Sequence, residues 1–134
     1  MIANADLYVA KSRVEGRGCF TAKAIARRRR IGELMGERIS HAEARRRMRG
    51  RRRIRISDVD ERTAIDLNHR GDATAYINHS CDPNVFMRVQ HGHPLLFALR
   101  PIKAGEELLL DYGESYHEGG LRCRCGAANC RGRI

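Results

Sequence analysis

The sequence predicts a mainly β fold carrying one short helix. Short apolar or alternating runs of strand length recur along the chain, turn residues separate them, and a helix-capping signal stands out at one place. Residues 7–10 and 19–22 read as strands on either side of the turn Glu15-Gly16-Arg17-Gly18. Residues 33–39 read as one further strand. Ser40-His41-Ala42-Glu43 is a capping box, with serine at the N-cap and glutamate three residues on. It predicts a helix over residues 41–48 that Gly50 ends. Residues 53–56 and 64–67 read as short strands. Val85, Met87 and Val89 alternate with Phe86 and Arg88, the turn His91-Gly92-His93-Pro94 follows, and residues 95–100 complete a hairpin. Gly105 closes another turn before the apolar strand 107–110.

A chain of 134 residues suits one domain around a single core. No apolar run approaches the roughly 20 residues of a membrane span. Residues 1–10, with Asn4 and Asp6, lack the basic-then-apolar order of a secretion signal. The expectation is an intracellular protein with no membrane partner. Five cysteines, an odd count with three of them in residues 123–130, suit metal binding in a reducing compartment better than a disulfide framework. The formal net charge is +10, and of 26 basic residues only Lys11, Lys23 and Lys103 are not arginine. The arginines cluster at residues 27–30, 45–47, 49, 51–53 and 55. Such a surface attracts nucleic acid or an acidic protein electrostatically. The same composition also follows from arginine-favouring codons with the side chains simply solvated. No aromatic residue is interleaved with the arginine runs, so a base-stacking platform is not expected.

Three motifs carry chemistry. The first is Asn78-His79-Ser80-Cys81-Asp82-Pro83-Asn84, the second Gly105-Glu106-Glu107-Leu108-Leu109-Leu110-Asp111-Tyr112, and the third a C-x-C-x4-C run of Cys123, Cys125 and Cys130. Cys81 and the three tail cysteines together supply four thiolates, the number a closed structural zinc site needs. Buried small apolar side chains or redox thiols are the other readings of these residues. Cys19 has no partner by spacing and is assigned to the core, and His91 and His93 at the hairpin turn are read as exposed. Taken singly, Gly16 and Gly18 are ordinary turn glycines, Asn78 belongs to an Asx-rich turn, and Tyr112 is a half-buried tyrosine at a strand end.

Taken together and in this order, with Gly16-x-Gly18-x-Phe20 and Gly36-Glu37 before them, these motifs resemble the SET domain family of protein-lysine N-methyltransferases. The resemblance runs over nearly the whole chain. It implies several small curled sheets around a threaded (pseudoknot) loop, one short helix and a zinc-bound C-terminal tail. Residues 1–116 would form the SET domain and residues 117–134 a post-SET tail. The implied activity is methyl transfer from S-adenosylmethionine to the side-chain amine of a lysine in a protein, such as a histone or a nucleic-acid-binding protein. The implied location is cytoplasmic or on chromosomal DNA. By the same resemblance, Gly16, Arg17, Gly18, Asn78, His79 and Tyr112 bind the cofactor, and Tyr112 is also the catalytic residue. Leu34, Tyr76 and Leu110 line the substrate channel, and Cys81, Cys123, Cys125 and Cys130 share one structural Zn²⁺.

Three positions depart from the family pattern. An arginine often stands where this chain has Ala75, an aromatic residue where it has Leu110, and a tyrosine where it has Leu34. Leucine at the last two removes hydroxyls from the channel and implies higher methylation states. The rival reading is a weak or inactive SET-like module that binds nucleic acid or an acidic protein through its arginine surface.

Overall fold

A computed structural model describes residues 2–51, 54–113 and 117–134. Among these residues ten strands and one α-helix follow in order: β1 (Leu7–Lys11), β2 (Arg17–Thr21), β3 (Arg30–Glu33), β4 (Glu37–Ser40), α1 (His41–Met48), β5 (Ile56–Asp58), β6 (Thr63–Asp66), β7 (Asn78–His79), β8 (Val85–Gln90), β9 (His93–Ala98) and β10 (Glu107–Leu110). The larger sheet runs β1-β2-β10-β8-β9-β3, and the smaller runs β4-β6-β5. Strand β10 is the hub of the larger sheet. It lies antiparallel to β2, with Leu108 opposite Cys19, and parallel to both β7 and β8. Three partners within four residues curl the sheet around this strand. Among the described residues no helix is long and apolar enough to cross a membrane.

Leu108, Cys19, Ile31 and Leu96 are fully buried in the main core, which β10 and its neighbours enclose. Burying side chains of this size contributes about 1.5–3 kcal/mol each. Leu108→Ala at this hub would cost about 2–5 kcal/mol. A second, smaller core of Ile39, Ala44, Ile56 and Ala64 joins α1 to the three-stranded sheet.

Residues 33–39 do not form one strand. The chain pairs with β9 as far as Glu33, leaves that sheet, and pairs with β6 from Glu37. Between the two, the Met35 amide donates to Thr74 Oγ1 at 3.1 Å instead of to a neighbouring strand. Gly36 then passes so close to β6 that a Cβ would stand 2.4 Å from Ile65 Cγ2 and 2.6 Å from the Asp66 carbonyl oxygen. No side chain fits there, and the crossing between sheets occurs at that point. The expected strand over residues 53–56 begins instead at Ile56 and runs to Asp58; Arg53 lies outside the described residues. The β8–β9 hairpin has a tighter turn than expected. Only His91 and Gly92 form it, both with positive φ as a type I′ turn requires, and His93 and Pro94 already belong to β9.

The capping signal works through half of its parts. Ser40 Oγ accepts from the Glu43 amide at 3.1 Å, while the Glu43 carboxylate turns to Arg46 and Arg47. Arg47 is the tie between helix and sheet. Its guanidinium reaches Glu37 at 2.7 Å, Glu43 at 3.0 Å and the fully buried carboxylate of Asp66 at 3.1 Å. One member of the arginine cluster is thus a structural residue rather than part of a solvated face.

Candidate active site and metal centre

The heptapeptide is fastened at both ends by an asparagine. At its far end Asn84 is fully buried, donating to the Glu107 carbonyl at 2.8 Å and accepting from the Leu109 amide at 2.8 Å. At its near end the Asn78 side-chain amide nitrogen faces four acceptors: the carbonyls of Glu15 at 3.0 Å and Arg17 at 3.1 Å, Ser12 Oγ at 3.1 Å and Glu107 Oε2 at 3.2 Å. Ser12 Oγ in turn donates to Glu107 at 2.7 Å and accepts from the amides of Val14 and Glu15. The glycine loop at residues 12–17 is therefore held against β7 and β10 by Ser12, Asn78 and Glu107. Gly18 has a reason inside the protein. A Cβ there would lie 2.2 Å from Glu107 Oε2, so glycine is what lets this carboxylate reach Ser12 and Asn78.

His79 follows Asn78 in β7 and is buried. The Tyr112 amide donates to its Nδ1 at 2.9 Å, which leaves the other nitrogen, Nε2, to carry the proton of the neutral ring. Nε2 lies 3.3 Å from Cys81 Sγ, so the ring bridges the end of β10 to the cysteine cluster. Burial lowers the His79 pKa, against the pull of the Asp111 carboxylate, and so favours this neutral form. Tyr112 is half-buried, stands edge-on to the His79 ring, and donates its hydroxyl to the Ile77 carbonyl at 2.6 Å.

The Sγ atoms of Cys81, Cys123, Cys125 and Cys130 lie within 4.8 Å of one another. A tetrahedral zinc with bonds of about 2.3 Å has edges of about 3.8 Å, and Cys81 and Cys123 are 3.9 Å apart. Backbone amides point at the sulfurs: Arg131 N at Cys81, Cys81 N at Cys125 and Gly132 N at Cys130. Burial raises the Cys81 pKa and pushes the Cys123 thiol up to about 12. Burial acts on Cys125 as well, yet the amides of Cys81 and Ala127 and the thiols of Cys123 and Cys130 bring it down to about 6. The cluster can coordinate a metal ion. Cys19, fully buried in the main core, stands apart from it.

The tail folds back on itself, with Leu121 and Ile134 exchanging backbone hydrogen bonds and Cys123 N donating to Gly132 O. Arg131 grips Asp111 through two contacts of 2.7 and 3.0 Å, an ion pair that pulls the Asp111 carboxyl down to about 2. Asn129 donates to the Cys81 carbonyl at 3.0 Å. These contacts set the tail over Tyr112, against which Ile134 and Leu121 pack.

Two hollows meet at Tyr112. A narrow groove of about 20 Å³ is lined by Glu15, Asn78, His79 and Tyr112 on one side and by Leu121 to Arg124 of the tail on the other. A cavity of about 1000 Å³ is lined by Leu34, Ala75, Ile77, Leu110 and Tyr112 among others. Tyr112 and Ile134 border both. Asn78, His79 and Tyr112 come together around the groove, and Leu34 and Leu110 around the cavity, while Arg17 does not line the groove and reaches it only through its carbonyl on Asn78. Gly16, at φ +46°, forms the turn of the loop and has nothing within 4 Å of where a Cβ would be. Tyr76 is set back, its ring under the guanidinium of Arg55, which lines the cavity. Sequence reasoning missed Ser12, Arg131 and the part played by Glu107. The Glu106-Glu107 pair was a signal for the last, while no pattern marks a lone serine or a tail arginine as an organiser.

The SET domain sequence pattern matches residues 16–113. The chain is 35% identical over 131 residues to the histone-lysine N-methyltransferase trithorax of Drosophila virilis, a match covering 92% of this chain and 3% of that protein. It is 36% identical over 137 residues to the H3 lysine-4 specific histone-lysine N-methyltransferase of Saccharomyces cerevisiae, covering 92% and 12%. It is 35% identical over 143 residues to the histone-lysine N-methyltransferase Su(var)3-9 of Drosophila melanogaster, covering 87% and 22%. This chain belongs to the SET domain family of protein-lysine methyltransferases, with a post-SET-like cysteine cluster able to coordinate a metal. It spans less than a quarter of the length of each of these relatives.

Proposed function

We propose that this chain catalyses methyl transfer from S-adenosylmethionine to the side-chain amine of a lysine in a protein substrate. The observation that carries this reading is the position of Tyr112, common to the groove beside Asn78 and His79 and to the cavity of Leu34 and Leu110. A donor held in the groove and an amine entering from the cavity would meet at its ring.

The residues of the groove suit the cofactor by chemistry. With its amide nitrogen committed to backbone carbonyls, Asn78 keeps Oδ1 without a hydrogen bond among the described residues, an acceptor for an ammonium group. The groove's about 20 Å³ is less than a cofactor fills, so one of its walls must give way to admit it. When bound, S-adenosylmethionine supplies an electrophilic methyl group on a cationic sulfur. The loop of Gly16, Arg17 and Gly18, with Asn78 and His79, holds it. Tyr112 orients the amine, and Leu34 and Leu110 with Tyr76 behind Arg55 shape the channel. A lysine near pKa 10.4 is only about 0.1% neutral at pH 7.4. The apolar walls given by Leu34, Ile77 and Leu110 disfavour its charged form, which helps release the nucleophilic amine. The rest is positioning, the main contribution a protein makes to an in-line displacement.

Cys81, Cys123, Cys125 and Cys130 hold one structural Zn²⁺, which fixes the tail over the groove. On this reading residues 1–116 form the SET domain and residues 117–134 the zinc-bound tail, the boundary lying outside the described residues. The names of the relatives make a histone the first substrate to try; another nucleic-acid-binding protein is the next, with the enzyme acting in the cytoplasm or on chromosomal DNA. The test is transfer of a labelled methyl group to a lysate of the source organism, with mass spectrometry of the products and Tyr112→Phe as control. Methyl-lysine with wild type and not with the variant supports the reading. No cofactor binding by calorimetry would sink it.

A further inference from the structure

A second cavity, of about 370 Å³, is lined by Arg27, Arg28, Phe86, Arg88, Phe97 and Leu99. In sequence these residues come from separate segments, and the arginine runs contain no aromatic residue. The fold joins them. Phe86 and Phe97 are directly opposite each other in the β8–β9 hairpin, their rings stacked with centroids 5.4 Å apart. The Arg88 guanidinium carbon stands 5.9 Å from each ring centroid. Arg27 and Arg28 come from the turn before β3, closed by Arg29 N on Ala26 O at 3.2 Å. None of the three guanidinium groups has a carboxylate partner among the described residues, whereas Arg46, Arg47, Arg100 and Arg131 each have one.

Arg28 is also held at φ +67°, the left-handed region that a glycine or asparagine occupies more easily in such a turn. Three cations line one concave site with no carboxylate to offset them, and one of them has an unfavourable backbone. That is the arrangement expected where an anion is to be received. Beside them the two phenyl rings and the exposed Leu99 offer apolar contact. Phe86 and Leu99 also line the large cavity, so the two hollows adjoin.

We infer that this cavity is a docking subsite for the protein substrate, taking an acidic side chain and a neighbouring aromatic or aliphatic one from the segment that flanks the target lysine. The inference rests on the methyltransferase reading but departs from its first substrate class, favouring acidic flanks over the arginine- and lysine-rich ones of nucleic-acid-binding proteins. The guanidinium fork matches a carboxylate in two hydrogen bonds. A protein segment lying across both hollows would run over Phe86 and Leu99 on its way to Tyr112. A nucleic acid bound here would have no part in that route.

The experiment uses two labelled synthetic peptides with one central lysine and a phenylalanine, flanked by glutamates in one and by arginines in the other, and a single-stranded DNA oligonucleotide. Binding is followed by fluorescence anisotropy at physiological salt. The acidic peptide should bind about tenfold or more tightly than the basic one. Arg28→Gly should weaken it severalfold while thermal stability holds or rises, since the strain is relieved. Arg27→Glu with Arg88→Glu should remove the preference. Equal binding of both peptides, including none, or tighter binding of the basic one, would overturn the inference. So would an oligonucleotide that binds and that the acidic peptide fails to displace. Methyl transfer to the central lysine is read separately. Charge-selective binding with no cofactor binding by calorimetry upholds the docking site and sinks the enzymatic reading; transfer with no selectivity does the reverse.

Discussion

The hydroxyl of Tyr112 donates to the carbonyl oxygen of Ile77 at 2.6 Å, so the tyrosine at the junction of the two hollows is pinned by the residue just before Asn78. Tyr112→Phe removes one hydrogen bond to a backbone acceptor, worth about 1 kcal/mol of stability. Its larger effect should be on chemistry. Single-turnover transfer should slow by about a hundredfold or more, with cofactor affinity within about threefold in calorimetry. Asn78→Ala should do the opposite. It frees the carbonyls of Glu15 and Arg17 and loosens the glycine loop, and affinity should fall by about tenfold or more. Equal losses of affinity in the two variants would show that the roles are not divided in this way.

The cysteine cluster predicts one zinc per chain in protein purified without chelator. Metal analysis of Cys130→Ser should show most of that zinc lost, and Cys19→Ser should retain it. Zinc added to the metal-free protein at pH 7 should release a proton each from Cys81 and Cys123, whose thiols burial holds in the protonated form. Apparent zinc affinity should therefore fall as pH falls. A titration in weak buffer with no proton release would count against thiolate ligation.

Arg47 and Arg45 are two positions apart, yet only the first should matter to stability. Arg47→Ala leaves the fully buried carboxylate of Asp66 without its guanidinium and cuts α1 from both strands it ties. Thermal denaturation should show a loss of several degrees, beginning in the smaller sheet. Arg45→Ala, on the exposed face of the same helix, should change stability by no more than about 0.5 kcal/mol.

That pair also shows how far the sequence could be read. Strands around the glycine loop, the β8–β9 hairpin and α1 were legible because each rests on local signals: alternation, a turn dipeptide, a capping serine. The break at residues 34–36 was not, since what ends β3 is a hydroxyl 39 residues away on Thr74. The cysteine set was legible because three thiols share eight positions and the family order supplies the fourth. The network of Ser12, Asn78 and Glu107 spans 95 residues and has no spacing to reveal it. In sequence the arginine runs read either as a surface attracting nucleic acid or an acidic protein or as solvated side chains; the fold makes Arg47 a structural tie and places Arg27 and Arg28, with Arg88 from outside the runs, around two phenylalanines.

Cys19 gives a pH test separate from the metal site. Burial, with the charges of Asp72 and Glu107 behind it, pushes its thiol from an ordinary 9.0 up to about 12. The folded state thus favours the protonated form. Its contribution to stability is fully present below about pH 9 and is lost as pH rises from 9 towards 12, because the unfolded chain gives up the proton first. Wild type should lose more stability than Cys19→Ala between those limits in denaturant titrations. Parallel curves would remove the cause. In the native state at pH 8, Cys19 should also resist alkylation by iodoacetamide.

Leu110 and Leu34 line one cavity with Tyr112, and neither carries a hydrogen-bonding group. Adding a second or third methyl requires the partly methylated amine to turn its remaining lone pair towards the donor. A hydroxyl on the channel wall would bond to the amine or to a water beside it and resist that rotation. Leucine cannot, and a cavity of about 1000 Å³ leaves room for the bulkier product. Wild type should therefore yield di- and trimethyl-lysine when cofactor is in excess. Leu110→Tyr should shift the product towards monomethyl-lysine while leaving the first transfer within about tenfold. Mass spectrometry of product at increasing times separates the two. Monomethyl-lysine alone from wild type, unchanged in the variant, would show that the number of methyl groups is set elsewhere than at these leucines.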